Sequence, residues 1–526
     1  MAELSGFRRF SHPAPRRGSL FANVQRGSDL QRGSVVSIAT TVQTTGHSWM
    51  YILRAMRKQF YSLLPGFSIC TCAIILNSNF YYVDLFNKLS DIYDGNNHYD
   101  ITDCVTIALY FLGACVGSIL VGFYQYTWPA RKTNYVIGVV LLISCAFMFW
   151  KHIVSFAVSR LLAGVSYGFI YIPLITQIAD NSMKTVRGYM ATLFAQSNLL
   201  GLIVGVAFSD HSWKELTYMR IIFCVVLIAF PIATIIMTRF LTFEPVTRLL
   251  KLQLETEARN VLDKSRSGKI ESTVIQYEID ERKLMLLEDY NEDEEQSCGF
   301  QKVLNNGNGM TLLWIILLRL LHVLTANMYL FILSAISIST DLNYVMHIVL
   351  MFVRLLILTI PHYSIDKLGR KSLLLTSGLG SGILLIPFGV QAMDWIQIRG
   401  DLFTIIIFGI HIFAALGIEP VQPIYAAEAF PLSQRNGSLT IVTCFEYITQ
   451  GTIAILLLRG EKLSLQILLL ATPFIVLLLT IILFAKLPET KSLPLRRCRD
   501  LFNKNIEKKT LPPRVSRIHT LGSTYM

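Results

Sequence analysis

Residues 463–485 read LSLQILLLATPFIVLLLTIILFA and contain no charged side chain. A helix that crosses the hydrocarbon core of a bilayer needs about 20 mostly apolar residues, so this stretch predicts one membrane-spanning helix. Similar runs recur along the chain, at 61–80, 102–122, 134–150, 155–178, 188–208, 219–239, 311–335, 342–362, 371–392, 402–424 and 437–458. An open sheet would leave backbone groups unpaired in lipid, so the predicted fold class is an all-α membrane protein.

The composition favours lipid as the solvent of much of the surface. Of 526 residues, 53% are hydrophobic and 16% are charged, whereas soluble domains carry about a quarter charged residues. One core in a chain of this length cannot bury so much apolar surface. The nine cysteines show neither a disulfide framework nor metal-ligand spacing, so they are interpreted as packing residues. Without a nucleotide-binding glycine loop or a metal cluster, we expect no enzyme, no cofactor, no metal and no nucleic-acid partner.

Lysine and arginine are distributed unevenly between the two sets of alternate loops. With the N-terminus inside, the inner segments hold 37 of the 47 basic residues and the outer loops hold 7. Cytosolic loops of membrane proteins carry an excess of these residues. The bias predicts a multi-pass integral membrane protein with both termini in the cytosol, and we expect it in the plasma membrane.

Polar segments divide the chain into two halves of six predicted spans. Residues 1–60 are basic and rich in serine and glycine, which predicts a disordered cytosolic tail. The first half covers 61–239, the second covers 311–485, and 486–526 form another cytosolic tail. The segment 240–310 is predicted to form a cytosolic linker with short amphipathic helices on the membrane face, with a solvated linker as the alternative.

Six short motifs occur in order at the ends of predicted spans. They are Arg160-Leu161-Leu162-Ala163-Gly164, Asp180 with Arg187-Gly188, Glu244-Pro245-Val246-Thr247-Arg248, Asp366-Lys367-Leu368-Gly369-Arg370-Lys371, Glu428-Ala429-Phe430-Pro431 with Arg435, and Leu487-Pro488-Glu489-Thr490-Lys491. With these motifs the chain, from about residue 60 to 494, resembles the sugar porters of the major facilitator superfamily. The resemblance implies a fold of 12 transmembrane helices and facilitative transport of a small solute across the bilayer by alternating access, with sugar as the usual substrate.

The charged residues of these motifs are the candidate gating residues. The resemblance implies that these residues form ion pairs at the cytosolic helix ends. The ion pairs hold the inner gate shut and break when the two halves rock apart. The candidates are Asp180, Arg187, Glu244, Arg248, Asp366, Arg370, Glu428 and Arg435, with Arg131 as the surviving basic end of a degraded motif. Taken as surface pairs, they contribute about 0–1 kcal/mol each. Helix capping and topology signalling are the alternative roles.

The family's sugar-binding amides are largely replaced in this sequence. The position of a glutamine in span five falls on Ala195, the glutamine pair of span seven becomes Leu321-His322, and a tryptophan position in span ten is Pro423. The candidate substrate-binding residues are Asn77, Gln196, His322, Asn327, Arg354, Glu446 and Tyr447. The losses leave a transport-inactive receptor or scaffold as one alternative function.

Two charges near the centres of their spans support a second alternative, a charged organic solute. Arg354 and Glu446 either bind such a solute or form an ion pair with each other, because a charge at mid-bilayer needs water or a partner. Arg319 is expected to reach the cytosolic interface, and Glu419 to belong to the external gate. The first span, 61–80, contains no acidic residue, which favours passive transport over proton symport.

Overall fold

The computed structural model describes residues 101–124, 128–150, 153–182, 184, 187–207, 217–265, 272–294, 308–325, 343–393, 395, 400–432, 434–459 and 462–507. All of them lie in one compact unit, Ala55–Met526. The described residues form helices and short connections, and no strand occurs among them. The first predicted span and the candidates Asn77 and Asn327 lie outside the described residues.

The first half contributes five described helices, which match the predicted spans two to six. They are α1 (Ile101–Tyr124), α2 (Ala130–Phe147), α3 (Ile153–Asn181), α4 (Arg187–Ala207) and α5 (Thr217–Leu241). Pro129 precedes α2 with a φ of −59°. A proline suits this position because the first turn of a helix has no internal partner for its backbone N–H groups.

Three helices follow in the linker. They are α6 (Val246–Lys251), α7 (Glu255–Ser265) and α8 (Ser272–Glu294). Their apolar side chains pack into a core of their own, formed by Val246, Leu249, Leu250, Ala258, Leu262, Ile275 and Ile279. The apolar faces of α6 and α7 therefore pack together with residues of α8 and form the core of the linker.

The second half and the following tail contribute the remaining described helices. They are α9 (Asn308–Thr325), α10 (Asn343–Leu368), α11 (Arg370–Ala392), α12 (Gly400–Phe413), α13 (Glu419–Glu428), α14 (Arg435–Arg459), α15 (Lys462–Lys486) and α16 (Leu495–Glu507). A π-helical turn, Ala414–Ile418, joins α12 to α13 in one predicted span. The backbone N–H of Ile418 donates to Ser377 Oγ at 2.9 Å, so a side chain of α11 supports this turn.

Glycines bring α1 and α3 into backbone contact. A Cβ atom at Gly117 would lie 2.2 Å from the carbonyl oxygen of Val165, and one at Gly164 would lie 2.1 Å from that of Tyr110. Each helix carries two such glycines four residues apart, a spacing that lets membrane helices approach closely. Any side chain at these positions would separate the two helices.

The outward faces of the helices carry large apolar side chains. Phe123 is 78% exposed, Leu356 66% and Leu478 59%. Among the described residues, seven helices are long and apolar enough to span a membrane, and three shorter apolar helices accompany them. These surfaces need lipid as solvent, as the composition predicts.

Candidate functional site

One cluster of charges joins the two halves on the side of the linker. Arg187, the first residue of α4, places Nη1 2.9 Å from Oε1 of Glu428 at the end of α13. Arg370 Nη2 lies 3.3 Å from the same oxygen and 3.2 Å from Oδ1 of Asp366. The backbone N–H of Tyr189 donates to Oδ2 of Asp366 at 3.2 Å. The first half thus contacts α10 and α13 of the second half through charged groups.

A second ion pair joins the halves nearby. Arg435, the first residue of α14, places Nη1 2.9 Å from Oδ1 of Asp180 in the last turn of α3. The other carboxylate oxygen of Asp180 accepts a short hydrogen bond from the Thr247 hydroxyl, at the start of the linker. Asp180 therefore connects the first half, the second half and the linker.

Burial increases the free energy that is lost when one of these ion pairs breaks. The side chains of Arg187, Glu428, Arg435 and Asp180 are at most 4% exposed, so treating them as surface pairs is wrong. A buried charge that loses its partner costs about 3–5 kcal/mol. Each pair therefore depends strongly on contact between the two halves.

Burial also shifts the titration of Asp366. Desolvation is the largest influence, and it raises the pKa of this carboxyl to about 6 although Arg370 acts in the opposite direction. The negative charge of Glu428 adds to the increase. The carboxyl of Asp366 therefore titrates about two pH units above its ordinary pKa of 3.8.

Glu244, Arg131 and Arg248 are brought together elsewhere. Glu244 Oε2 accepts from the backbone N–H of Ala130 at 2.9 Å, and Oε1 accepts from that of Arg131 at 3.4 Å. Arg248 Nη1 lies 3.3 Å from Oε2 of the same carboxylate. Glu244 therefore caps the N-terminus of α2, where a negative charge is favoured by the helix dipole. These contacts of the three candidates lie within the first half and the start of the linker.

Glu489 has the same role in the second half and is missing from the sequence-based candidates. Its Oε1 accepts from the backbone N–H of Arg370 at 3.2 Å, and its Oε2 accepts from that of Lys371 at 3.1 Å. The signal was present, because Glu244 and Glu489 each follow the last predicted span of their half. Reading the two halves as repeats would have paired them.

The interior of the second half contains a buried ion pair that includes Glu446. Arg319 Nη1 of α9 lies 2.6 Å from Glu446 Oε2 of α14. His322 Nδ1 lies 3.4 Å from Glu446 Oε1, which also accepts from Gln450 Nε2 at 3.2 Å. The expectation that Arg319 reaches the membrane interface is wrong, because its side chain is 2% exposed.

Arg354 belongs to a different cluster. Its Nε and Nη2 donate to Glu419 Oε2 at 3.2 and 3.0 Å, and its Nη1 lies 3.4 Å from His411 Nδ1. The predicted alternative of an Arg354–Glu446 pair is therefore wrong, because each residue has another partner. Glu419 was expected at an external gate, and it serves here as the counter-ion of Arg354.

Aromatic side chains occupy the boundary between the halves next to Arg319. The Arg319 guanidinium lies 4.3 Å from the ring centre of Tyr171, on α3 of the first half. Gln422 Nε2 of α13 donates to the Tyr171 hydroxyl at 3.2 Å. The Tyr167 and Tyr447 rings are 5.7 Å apart. We define Tyr167, Tyr171, Arg319, Gln422, Glu446 and Tyr447 as the central cluster.

The sequence identified only part of the central cluster. Glu446 and Tyr447 were candidates, whereas Tyr167, Tyr171 and Gln422 were missed. The two tyrosines are four residues apart on α3, so they share a helix face, and this spacing was a usable signal. The candidate Gln196 is half-buried on α4, two residues after Phe194, whose ring packs at 5.4 Å against Tyr171.

The sequence matches the family model described as "Sugar (and other) transporter" over residues 59–502. The chain belongs to this family. It is therefore a multi-pass membrane transporter and not an enzyme. No curated protein matches the sequence.

Solved structures agree with this transporter in fold. The proton:xylose symporter XylE bound to 6-bromo-6-deoxy-D-glucose matches with a TM-score of 0.69 and 16% identity, over 85% of this chain and 99% of that one. The inward-open conformation of XylE from E. coli matches with a TM-score of 0.60 at the same identity and coverage. The human organic anion transporter MFSD10 matches at 0.52 and 11% identity, over 81% and 99% of the two chains. The transporter has the twelve-helix major facilitator fold.

Proposed function

We propose that this protein is a passive transporter of a small neutral polyol, with sugars as the substrate class, and that the central cluster binds the solute. The spare donors of Arg319 are the observation that carries the proposal. Its Nε and Nη2 atoms are buried and have no hydrogen-bond partner among the described residues. Hydroxyl oxygens of a solute are suitable acceptors for both.

The charges of the central cluster support a neutral solute. Arg319 and Glu446 balance each other at 2.6 Å, and Arg354 is balanced by Glu419 at 3.0 Å. A charged solute would have to displace a buried partner, which leaves another charge unpaired. Donors and acceptors of a neutral ion pair bind hydroxyl groups without that penalty.

The aromatic rings support a solute with apolar ring faces. Ligand sites combine apolar and aromatic walls with a few polar groups that fix orientation. Tyr171 and Tyr447, both buried, lie on opposite halves beside the Arg319–Glu446 pair. A pyranose offers C–H faces for such rings and hydroxyls for the ion pair.

The cross-half ion pairs support alternating access. Arg187–Glu428 and Asp180–Arg435 hold the linker side of the halves together, and both must break for that side to open.

Location and coupling complete the proposal. The excess of basic residues on the linker side favours cytosolic termini, and we assign the transporter to the plasma membrane. The absence of acidic residues in 61–80 favours passive transport over proton symport. The linker side is then the cytosolic side.

Uptake into proteoliposomes tests the proposal. Vesicles containing the purified protein receive labelled hexoses, pentoses and polyols, an organic anion and an organic cation, with and without a pH gradient. We expect saturable uptake of a neutral sugar or polyol that the pH gradient does not drive. Uptake of only the anion or the cation supports the charged-solute alternative, and a folded protein without any uptake supports the receptor alternative.

A matched pair of variants connects transport to the central cluster. Tyr171→Ala removes the ring beneath Arg319 and should raise the half-saturating concentration about tenfold. Tyr124→Ala is the control, because Tyr124 is an exposed tyrosine at the end of α1. Equal effects of the two substitutions would contradict a solute site at the central cluster.

A further inference from the structure

Two cysteines face each other across the boundary between the halves. Cys115 lies on α1 and Cys444 on α14. Cys115 Sγ lies 3.7 Å from the carbonyl oxygen of Cys444, and Cys444 Sγ lies 3.7 Å from that of Cys115. Both residues are free thiols in this structure.

The helices that carry these cysteines are close together on both sides of the pair. Towards the linker side, a Cβ atom at Gly122 would lie 2.2 Å from Thr440 Oγ1, and this hydroxyl is 3.4 Å from the carbonyl oxygen of Ser118. Towards the other side, a Cβ atom at Gly451 would lie 3.2 Å from Cβ of Phe111. A disulfide requires Cα atoms within about 7 Å, which such close helices allow.

We propose that Cys115 and Cys444 form a reversible disulfide and that this bond locks the two halves together. The oxidant is a hydroperoxide, either hydrogen peroxide or a peroxidised lipid. One thiolate attacks the peroxide, which leaves as an alcohol or water, and the cysteine becomes a sulfenic acid. The second thiol attacks that sulfur and releases water. Two thiols and one hydroperoxide thus give one disulfide, one alcohol or water, and one further water.

The other described free cysteines are placed differently. Cys145 lies on α2 and Cys224 on α5, both in the first half, and Cys498 lies on α16 with its Sγ near the carbonyl oxygens of Thr490 and Leu493. Cys115 and Cys444 are therefore the described cysteines whose oxidation joins one half to the other. Their reciprocal contacts place the two side chains at the same level of the boundary between the halves.

The position of the pair explains why the bond would act as a lock. Cys115 is nine residues from the linker-side end of α1, and Cys444 is nine residues from that of α14, which is about 14 Å along each helix. Opening of the linker side separates these helix ends, and a disulfide restricts the separation at this depth. The locking effect rests on the proposed alternating access, whereas the disulfide itself does not.

Cleavage between the halves detects the disulfide without any transport measurement. A protease site is inserted between residues 300 and 301 of the full-length protein, which is then treated with hydrogen peroxide and cut. We expect the halves to stay joined on a non-reducing gel and to separate after reduction. Cys115→Ser and Cys444→Ser should abolish the link, and Cys145→Ser should preserve it. Halves that separate after peroxide treatment, or a link that survives Cys115→Ser, would overturn the proposed bond.

Uptake into proteoliposomes then measures the lock. Peroxide treatment should lower uptake about tenfold or more in the wild-type protein, and a reductant should restore it. Cys115→Ser should keep its uptake under peroxide, while Cys145→Ser should lose it like the wild type. Linked protein that retains full uptake overturns the lock. If the reduced protein carries no solute, the proposed function fails while the gel still decides the disulfide.

Discussion

The ion pairs on the linker side and those in the interior of the second half are both buried, yet they connect different parts of the molecule. Arg187–Glu428 and Asp180–Arg435 each join one half to the other. Arg319–Glu446 and Arg354–Glu419 lie within the second half. The first type is broken by relative movement of the halves, whereas the second type moves as one body. Burial alone therefore does not separate a conformational contact from a structural one.

The largest expected effect comes from breaking a pair within the second half. Arg354→Leu leaves the buried Glu419 without its counter-ion and should destabilise the protein by about 3–5 kcal/mol. The double variant Arg354→Leu with Glu419→Leu should recover much of this loss, because two apolar side chains replace a buried pair with little penalty. Thermal unfolding and the yield of monodisperse protein in detergent measure both. A double variant as unstable as the single one would contradict a purely structural pair.

Breaking a cross-half pair should change the conformation more than the stability of either half. Arg435→Ala leaves Asp180 with the Thr247 hydroxyl, but the contact between the halves is lost. We expect the linker-side-open population to rise about tenfold, since a change of about 1.4 kcal/mol already gives this factor. Labelling of engineered cysteines from the linker side measures the shift.

Arg248→Ala provides the matched control for that experiment. Arg248 also pairs with a carboxylate, Glu244, but this contact lies within the first half and the start of the linker. Labelling should therefore stay at the wild-type level. If Arg248→Ala opened the linker side as strongly as Arg435→Ala, the distinction between cross-half and local pairs would be lost.

Asp366 predicts a smaller, pH-dependent effect in the same network. Its folded pKa of about 6 lies above the ordinary value of 3.8, so the folded protein binds this proton more tightly than the unfolded chain does. The resulting stability is present at low pH and is lost as the pH rises through about 6. Wild-type protein should gain about 1 kcal/mol between pH 7 and pH 5 relative to Asp366→Asn. If the difference in stability between the two proteins is the same at pH 5 and at pH 7, Asp366 does not make this pH-dependent contribution.

Hydropathy predicted the architecture well because the membrane imposes one length and one polarity on every span. Each described transmembrane helix falls on a predicted span, including the pair α12 and α13 in 402–424. The depth of a charged residue within its helix was less well predicted. Arg319 was expected at the interface, but α9 begins at Asn308, which places Arg319 about 16 Å into the helix. Its side chain is 2% exposed there, and it pairs with Glu446.

The partners of the buried charges could not be read from helix periodicity. The π-helical turn Ala414–Ile418 lies between His411 and Glu419, and an extra residue in a turn rotates everything that follows it. A regular helix would therefore place Glu419 on a different face. Tyr171 was missed for another reason: its partners Arg319 and Gln422 belong to the opposite half, so only the packing of the halves brings them together.

The smallest effects are expected for Glu244 and Glu489, which cap helix N-termini. Substituting them tests whether these caps contribute to the ion pairs that join the halves. Glu244→Gln and Glu489→Gln each keep an oxygen acceptor but remove the charge near the N-termini of α2 and α11. Each change should lower stability by about 0.3–1 kcal/mol. Because neither carboxylate has a described contact that joins the halves, linker-side labelling should remain at the wild-type level. Glu489 is the more stringent case, since Arg370, whose N–H it caps, also pairs with Glu428. An increase in labelling with Glu489→Gln, but not with Glu244→Gln, would place this cap within the cross-half network and make the two halves unequal in function.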